Sequence, residues 1–279
     1  MKFISSTITG KVLLLAPIGD IHLGSAACAK SHLASDISAL VSASKIPGVS
    51  VKVILMGDIV DAVGSKDIKR YDPRDIDPDL HGETHRLIQA QLEMAHKYLR
   101  PIAPLTIAAL EGNHEASITK YHGIMDAHID GICNPLGVPD ASYMAHFTLK
   151  FRGFEKKVIA HHGYGGGRLI GSKVVKVHNL FNICTDADIA MCGHTHVRAI
   201  SDMVQLHTEN GRFVADEKLA VNTGSYLRTF STETSGYSER ACFDPPAIGA
   251  PAILIDARSG LTTGVNSLQA AVAILKRLK

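Results

Sequence analysis

Apolar runs and helical patterns alternate along the first half of the chain. VLLLAP (12–17), VKVILM (51–56) and LTIAAL (105–110) are short, almost wholly apolar runs and predict buried strands. Between them, Leu33, Ile37, Leu40 and Val41 recur at helical spacing within 27–45. A run of strong helix formers over 81–100 stops at Pro101. Strand–helix–strand–helix–strand order predicts parallel strands joined by helical crossovers. The second half is richer in strands. AHFTLKF and KKVIAHH flank RGFE, a predicted hairpin, and further strands are expected over 188–193, 197–207, 211–225 and 250–257. SLQAAVAILKRLK (267–279) predicts an amphipathic helix. Residues 64–80 form an insertion, and 231–250, rich in Ser, Thr, Gly and Pro, reads as a long loop. With no repeat and no clean linker, residues 1–279 are expected to form one domain, with a sheet from each half.

Composition narrows this little. The 279 residues are 46% hydrophobic and 20% charged, ordinary for a globular chain, and the formal charge of +2 calls for no nucleic-acid or membrane partner. Five scattered cysteines without a CxxC pair predict free thiols in a reducing, cytoplasmic setting. Lys2 and VLLLAP invite a signal-peptide reading, but the apolar run is short and Asp20 follows it closely, so a buried strand is the expectation. No stretch is long enough to span a bilayer.

The strand ends carry the chemistry. VLLLAP leads to Asp20-Ile21-His22, VKVILM to Gly57-Asp58-Ile59-Val60-Asp61, and LTIAAL to Gly112-Asn113-His114-Glu115. KKVIA leads to His161-His162-Gly163, and DIAMC to Gly193-His194-Thr195-His196. Alone, DxH is a common accident of loops, GDxxD a turn, NHE a helix cap with an acid beside it, and GHTH an exposed turn. As an ordered set, each after an apolar strand, they point to one place, because ligands in open α/β sheets bind beyond the carboxyl ends of the strands. A carboxylate buried there without compensation costs several kcal/mol, so Asp58 implies nearby positive charge.

The order D-x-H, GD-x-x-D, GNHE, HG, GHTH resembles the calcineurin-like metallophosphoesterases, over about residues 11 to 225. The resemblance implies a four-layered α/β/β/α sandwich of two mixed sheets flanked by helices. It implies two divalent metal ions, one held by Asp20, His22 and His196, the other by Asn113, His162 and His194, with Asp58 bridging both. In the His161–His162 doublet, the residue before Gly163 matches the ligand. Asp61 is then a supporting acid or the start of a helix, and His114 matches the catalytic histidine that assists the leaving group. Imidazole, carboxylate and amide donors without thiolate suit Mn, Fe, Co, Ni or Zn. The expected reaction is attack on phosphorus by a metal-bridging hydroxide.

Specificity is less legible. GGGRLIGSK (165–173) misses a P-loop because Ser172 stands where lysine is required. Its glycines are expected to form a mobile active-site loop from which Arg168 reaches substrate. The insertion carries Lys66, Lys69, Arg70 and Arg74 among acids and suggests a lid, with Arg70 a second substrate residue. Arg228 is a weaker substrate candidate. His81 and His85 share a face of the predicted helix, but their spacing to Glu83 does not make a zincin motif. The expected partner is a phosphoester, a nucleotide or nucleic acid among the options. A phosphodiesterase is the first reading, a phosphomonoesterase (protein or nucleotide phosphatase) the second, and a non-catalytic scaffold the third.

Overall fold

The computed structural model describes residues 1–67, 70–123, 126–167, 169–230, 239 and 242–277. The chain opens with β1 (Lys2–Thr7), β2 (Val12–Ile18), α1 (Lys30–Ala43), β3 (Val49–Leu55), α2 (Leu87–Leu99), β4 (Thr106–Ala109) and α3 (Asn113–His122). It continues through β5 (Met144–Lys150), β6 (Glu155–His161), α4 (Ile170–Val174), α5 (Leu180–Ile183) and β7 (Ile189–Cys192). It closes with β8 (Arg198–Glu209), β9 (Arg212–Thr223), β10 (Ala252–Asp256), β11 (Thr262–Val265) and α6 (Leu268–Arg277). These strands form two mixed sheets, ordered β11-β10-β2-β3-β4 and β1-β5-β6-β7-β9-β8.

The apolar runs explain the layering. In β2, Leu13 and Leu15 point one way and Leu14 the other, and all three are fully buried. Leu13, Leu15 and Ile54 meet Phe147, Val158, Met191 and Val221 of the other sheet. On the opposite face Leu14, Val53 and Leu55 pack with Leu40 of α1, Leu99 of α2 and Leu275 of α6. The second sheet turns Ile159, Ala190 and Ala220 outward against Val177, Leu180 and Phe181. Three apolar interfaces separate four layers, helix, sheet, sheet, helix, which is the architecture the family resemblance implies. β1 nevertheless joins the second-half strands, and β10 and β11 join the first, so neither sheet comes from one half alone. Each leucine so buried contributes about 1.5–3 kcal/mol. β2, β3 and β4 are mutually parallel, as are β6, β7 and β9, so their carboxyl ends deliver loops to a common region.

The expected helix over 81–100 begins only at Leu87. Asp77 caps a separate turn over Pro78–Leu80 by accepting from Asp79 N at 3.0 Å. His81 ends that turn, with Nε2 3.1 Å from the Ile76 carbonyl. His81 and His85 therefore precede the helix and share no helical face. The expected helix start at Asp61 is likewise absent: residues 59–64 form no helix. β1, α3 and β11 went unread in the sequence because they carry few apolar residues, and α3 buries only Glu115 and Ile118. The cysteines are free, with Cys28, Cys133 and Cys192 buried, Cys184 half-buried and Cys242 exposed. Half of the expected 231–250 loop, and Arg168, lie outside the described residues. No helix among the described residues is long and apolar enough to cross a membrane.

Candidate metal centre

The five loops meet. Asp20, His22 and His196 bring one ligand atom each within 4.8 Å of one another, and so do Asp58, His162 and His194. A third group, His22, Asp58 and His114, joins the first two, sharing His22 with one and Asp58 with the other. Asn113 places its side-chain oxygen 3.0 Å from His162 Nε2.

Backbone geometry shows how these side chains are aimed. Asp20 (φ 48°), His22 (55°), Asp58 (49°), His194 (64°) and His196 (57°) all lie in the left-handed region. That conformation costs a non-glycine residue about 1–2 kcal/mol and persists only where the surroundings enforce it. Gly57 and Gly112 make room for the tight approach. A Cβ on Gly112 would come within 2.1 Å of Asp58 N, and one on Gly57 within 2.6 Å of His162 Nδ1.

Glu115 holds the Asp58 loop. Its fully buried carboxylate accepts from Asp58 N (2.9 Å), Ile59 N (2.7 Å), Val60 N (3.1 Å) and Gly112 N (2.9 Å). The negative charge is thus spread over four amides from two segments. Asp58 Oδ1 in turn accepts from His114 N at 2.9 Å. The other aspartate is held by neutral groups: the Asp20 carbonyl accepts from Tyr226 N and Ser225 Oγ, both at 2.9 Å. Its carboxylate accepts from His194 N at 2.9 and 3.1 Å.

The imidazoles are oriented for a cation. His162 Nδ1 donates to the Met56 carbonyl at 2.7 Å, so its Nε2 faces Asn113 Oδ1 and, at 3.4 Å, Asp58 Oδ2. The two oxygens there call for positive charge, which a proton on His162 Nε2 supplies in the metal-free protein and a cation would supply in its place. On the other side His22 Nε2 and His196 Nε2 stand 3.1 Å apart, and His22 Nδ1 lies 3.4 Å from Asp61 Oδ1. Metal-binding histidines characteristically give their second N–H to a carbonyl or carboxylate, as His162 does; His22 Nδ1 faces Asp61 without a hydrogen bond. The donor set therefore fits divalent cations. His161 differs: its Nδ1 accepts from Gly163 N at 2.8 Å, and it joins none of the ligand groups.

The charges respond accordingly. Burial pushes Asp58 up, but the His114 and His162 imidazoles beside it more than offset this and hold it well below the carboxylate range. Burial lowers His162, yet Asp58 and Asp20 raise it to about 10. Burial and the neighbouring His162 push His194 down to about 4, and burial with His114 lowers His22. Those two rings are neutral at neutral pH, as ligands must be. His114 sits apart from them in role. Its Nδ1 donates to the Asp61 carbonyl at 2.5 Å, and its Nε2 lies 3.9 Å from Asp58 Oδ2. Burial lowers its pKa, but Asp58 and Asp61 raise it further.

Of the substrate candidates, Arg70 lies at the edge of the centre, with Nε on Asp67 (2.5 Å) and Nη2 on Ser117 Oγ (3.1 Å). The glycine loop after His162 is tied down by Lys176 Nζ, which donates to the Tyr164 and Gly165 carbonyls at 2.8 and 2.6 Å. Glu115 is the supporting residue that the sequence left without a defined role, whereas Asp61 is already expected from it to be a supporting acid or a helix start. An acid three residues into a helix that opens on a glycine was the available signal for Glu115.

No family model matches the chain, and no curated protein does. Among solved structures, a conserved uncharacterized protein of Streptococcus pneumoniae, described as a predicted phosphoesterase, aligns at 12% identity over 92% of this chain and 98% of that one, with a TM-score of 0.34. A likeness that faint carries nothing about the chemistry, which rests on the residues themselves.

Proposed function

We propose that the chain is a calcineurin-like metallophosphoesterase that hydrolyses phosphodiesters with two divalent cations. The observation that carries this reading is the linkage of three ligand groups through His22 and Asp58. Asp20, His22 and His196 would hold one cation, Asn113, His162 and His194 the other, with Asp58 between them. Bound there, two cations supply Lewis-acid stabilisation of the phosphoryl oxygens and lower the pKa of a water near phosphorus.

The chain's own residues do the remaining work. The Met56 carbonyl fixes the outward nitrogen of His162, so the inward one stays aimed at the centre, and Asp61 lies 3.4 Å from the outward nitrogen of His22. His114, anchored through Nδ1 on the Asp61 carbonyl, presents Nε2 to the same space. From there it donates a proton to the leaving oxygen. Diesters are favoured because the ligand loops contain no arginine to offset the second charge of a monoester dianion.

The test is hydrolysis of bis(4-nitrophenyl) phosphate and 4-nitrophenyl phosphate by chelator-stripped protein reloaded with each of Mn, Fe, Co, Ni and Zn. Metal-dependent turnover with higher kcat/KM for the diester is expected. Preference for the monoester would overturn the diesterase assignment, and absence of metal-dependent turnover with every ester tried would overturn the hydrolase.

A further inference from the structure

A cleft of about 340 Å³ opens along α3, beginning at Asn113. It is wide open to solvent, a surface trough and not an enclosed cavity. Asn113, Ser117, Lys120 and Tyr121 line it. Their spacings of four, seven and eight residues place them on one face of the helix. Arg70 and Tyr143 complete its walls, and no carboxylate is among its lining residues as described.

The cleft has a direction. Tyr143 lies at the metal end, its ring edge-on to His162 with centroids 5.5 Å apart. Tyr121 stands two turns along the helix, 39% exposed, with Lys120 Nζ 5.1 Å from its ring centroid. Between them, Arg70 is braced by Asp67 on Nε and Ser117 on Nη2. A guanidinium has five N–H donors, so this bracing leaves part of the fork to receive an anion. Two cations, one of them already paired with Asp67, and two phenol rings along one cleft constrain the ligand. An alkyl group has no use for the cations, and a bare second phosphate has no use for the rings. A nucleoside phosphate uses both, the base stacking on a phenol face and the phosphate taken by Arg70 and Lys120.

We propose that the α3 cleft receives a nucleoside phosphate arm of the substrate, with the base on Tyr121 and the flanking phosphate between Arg70 and Lys120. The substrate class is then a nucleotidyl phosphodiester. This step rests on the phosphoesterase reading for the scissile bond, but ligand capture by the cleft does not. Thymidine 3′,5′-bisphosphate binding is therefore measured by calorimetry, on the metal-loaded protein and again after chelation, for wild type, Lys120→Gln, Tyr121→Ala and Tyr121→Phe. Arg212→Gln, at the exposed tip of the β8–β9 hairpin, controls for net charge. In both metal states, Kd is expected to rise about tenfold or more in Lys120→Gln and Tyr121→Ala, consistent with base–aromatic stacking. Tyr121→Phe should restore wild-type affinity and Arg212→Gln should keep it. Equal Kd for wild type, Lys120→Gln and Tyr121→Ala would overturn the subsite. So would wild-type affinity for inorganic phosphate equal to that for the bisphosphate. If the bisphosphate binds as expected while wild type hydrolyses neither aryl ester with any metal, the subsite stands and the phosphoesterase reading falls.

Discussion

The two halves of the candidate metal centre contain similar donors and are joined by backbone bonds from Asp20 N, Ile21 N and His22 N to the Gly57 and Asp58 carbonyls, but their remaining supports differ in kind. Around Asp20, the loop is tethered through a backbone carbonyl to Ser225 and Tyr226, neutral groups on the segment after β9. Around Asp58, the loop is gripped by the buried charge of Glu115 through four amides. A neutral hydrogen bond contributes about 0.5–1.5 kcal/mol, one to a charged group about 1.5–3. The Asp20 half therefore weakens gradually when a tether is lost, whereas the Asp58 half fails steeply. Asp58 also belongs to two of the three ligand groups, so its failure propagates across the centre.

The sharpest way to break this asymmetry is Asp58→Asn. It removes the one carboxylate common to both halves. Hydrolysis should fall at least about 10³-fold, a loss of electrostatic stabilisation at the upper end for a single group. Metal analysis should show both ions weakened together. Two tightly bound ions with near-normal turnover would mean that Asp58 is not shared. His114→Ala comes next, with a loss of about 10²–10⁴-fold at unchanged metal content, as for a general acid. The loss should shrink for esters with good leaving groups such as nitrophenolate. Equal losses for good and poor leaving groups would remove the acid role.

Glu115→Gln separates the halves. The amide oxygen can keep Ile59 N and Val60 N, but the NH₂ then faces Asp58 N and Gly112 N and strands two buried donors. At about 1–3 kcal/mol each, the variant loses roughly 2–6 kcal/mol of stability. Metal affinity at the Asp58 half should fall about 10–100-fold, as for other residues that orient ligands. The Asp20 half, which shares Asp58 and whose Asp20, Ile21 and His22 amides hang on the Gly57 and Asp58 carbonyls, should lose affinity as well, but by less. Titration showing parallel loss of both ions would refute the asymmetry.

The sequence exposed the ligands better than it exposed what supports them, for a physical reason. Each candidate ligand follows a strand whose apolar run is visible locally, and the seven that the family resemblance implies lie close together in the fold. Glu115 acts on amides 55 to 57 residues away, and no local pattern encodes that convergence. The left-handed conformation of five of the seven is equally invisible, since aspartate and histidine in loops adopt many geometries. α3 was missed because its long face toward the cleft is polar, the feature that makes it useful as a binding wall. The late start of α2 reflects Asp77 capping a turn of its own, which helix propensity alone does not foresee.

The smallest expected effect tests the neutral tether. Tyr226 is fully buried and its hydroxyl donates to Asp36 Oδ2 of α1 at 2.8 Å. Its backbone N holds the Asp20 carbonyl, so the ring anchors the segment without touching a ligand side chain. Tyr226→Phe keeps the ring and the backbone bond and deletes only the hydroxyl. Asp36, 1% exposed, would retain Gln269 Nε2 at 3.2 Å and His32 Nε2 at 3.7 Å. One lost donor to a buried carboxylate costs about 1–3 kcal/mol, and thermal unfolding should fall about 2–4 °C per kcal/mol. Because the Asp20 carbonyl keeps both of its donors, metal content and kcat/KM should stay within about twofold of wild type. Preferential loss of the ion at the Asp20 half, with the Asp58 half intact, would show that the tether depends on the hydroxyl. The two halves would then be equally fragile, and the contrast between charged and neutral support would not govern the centre.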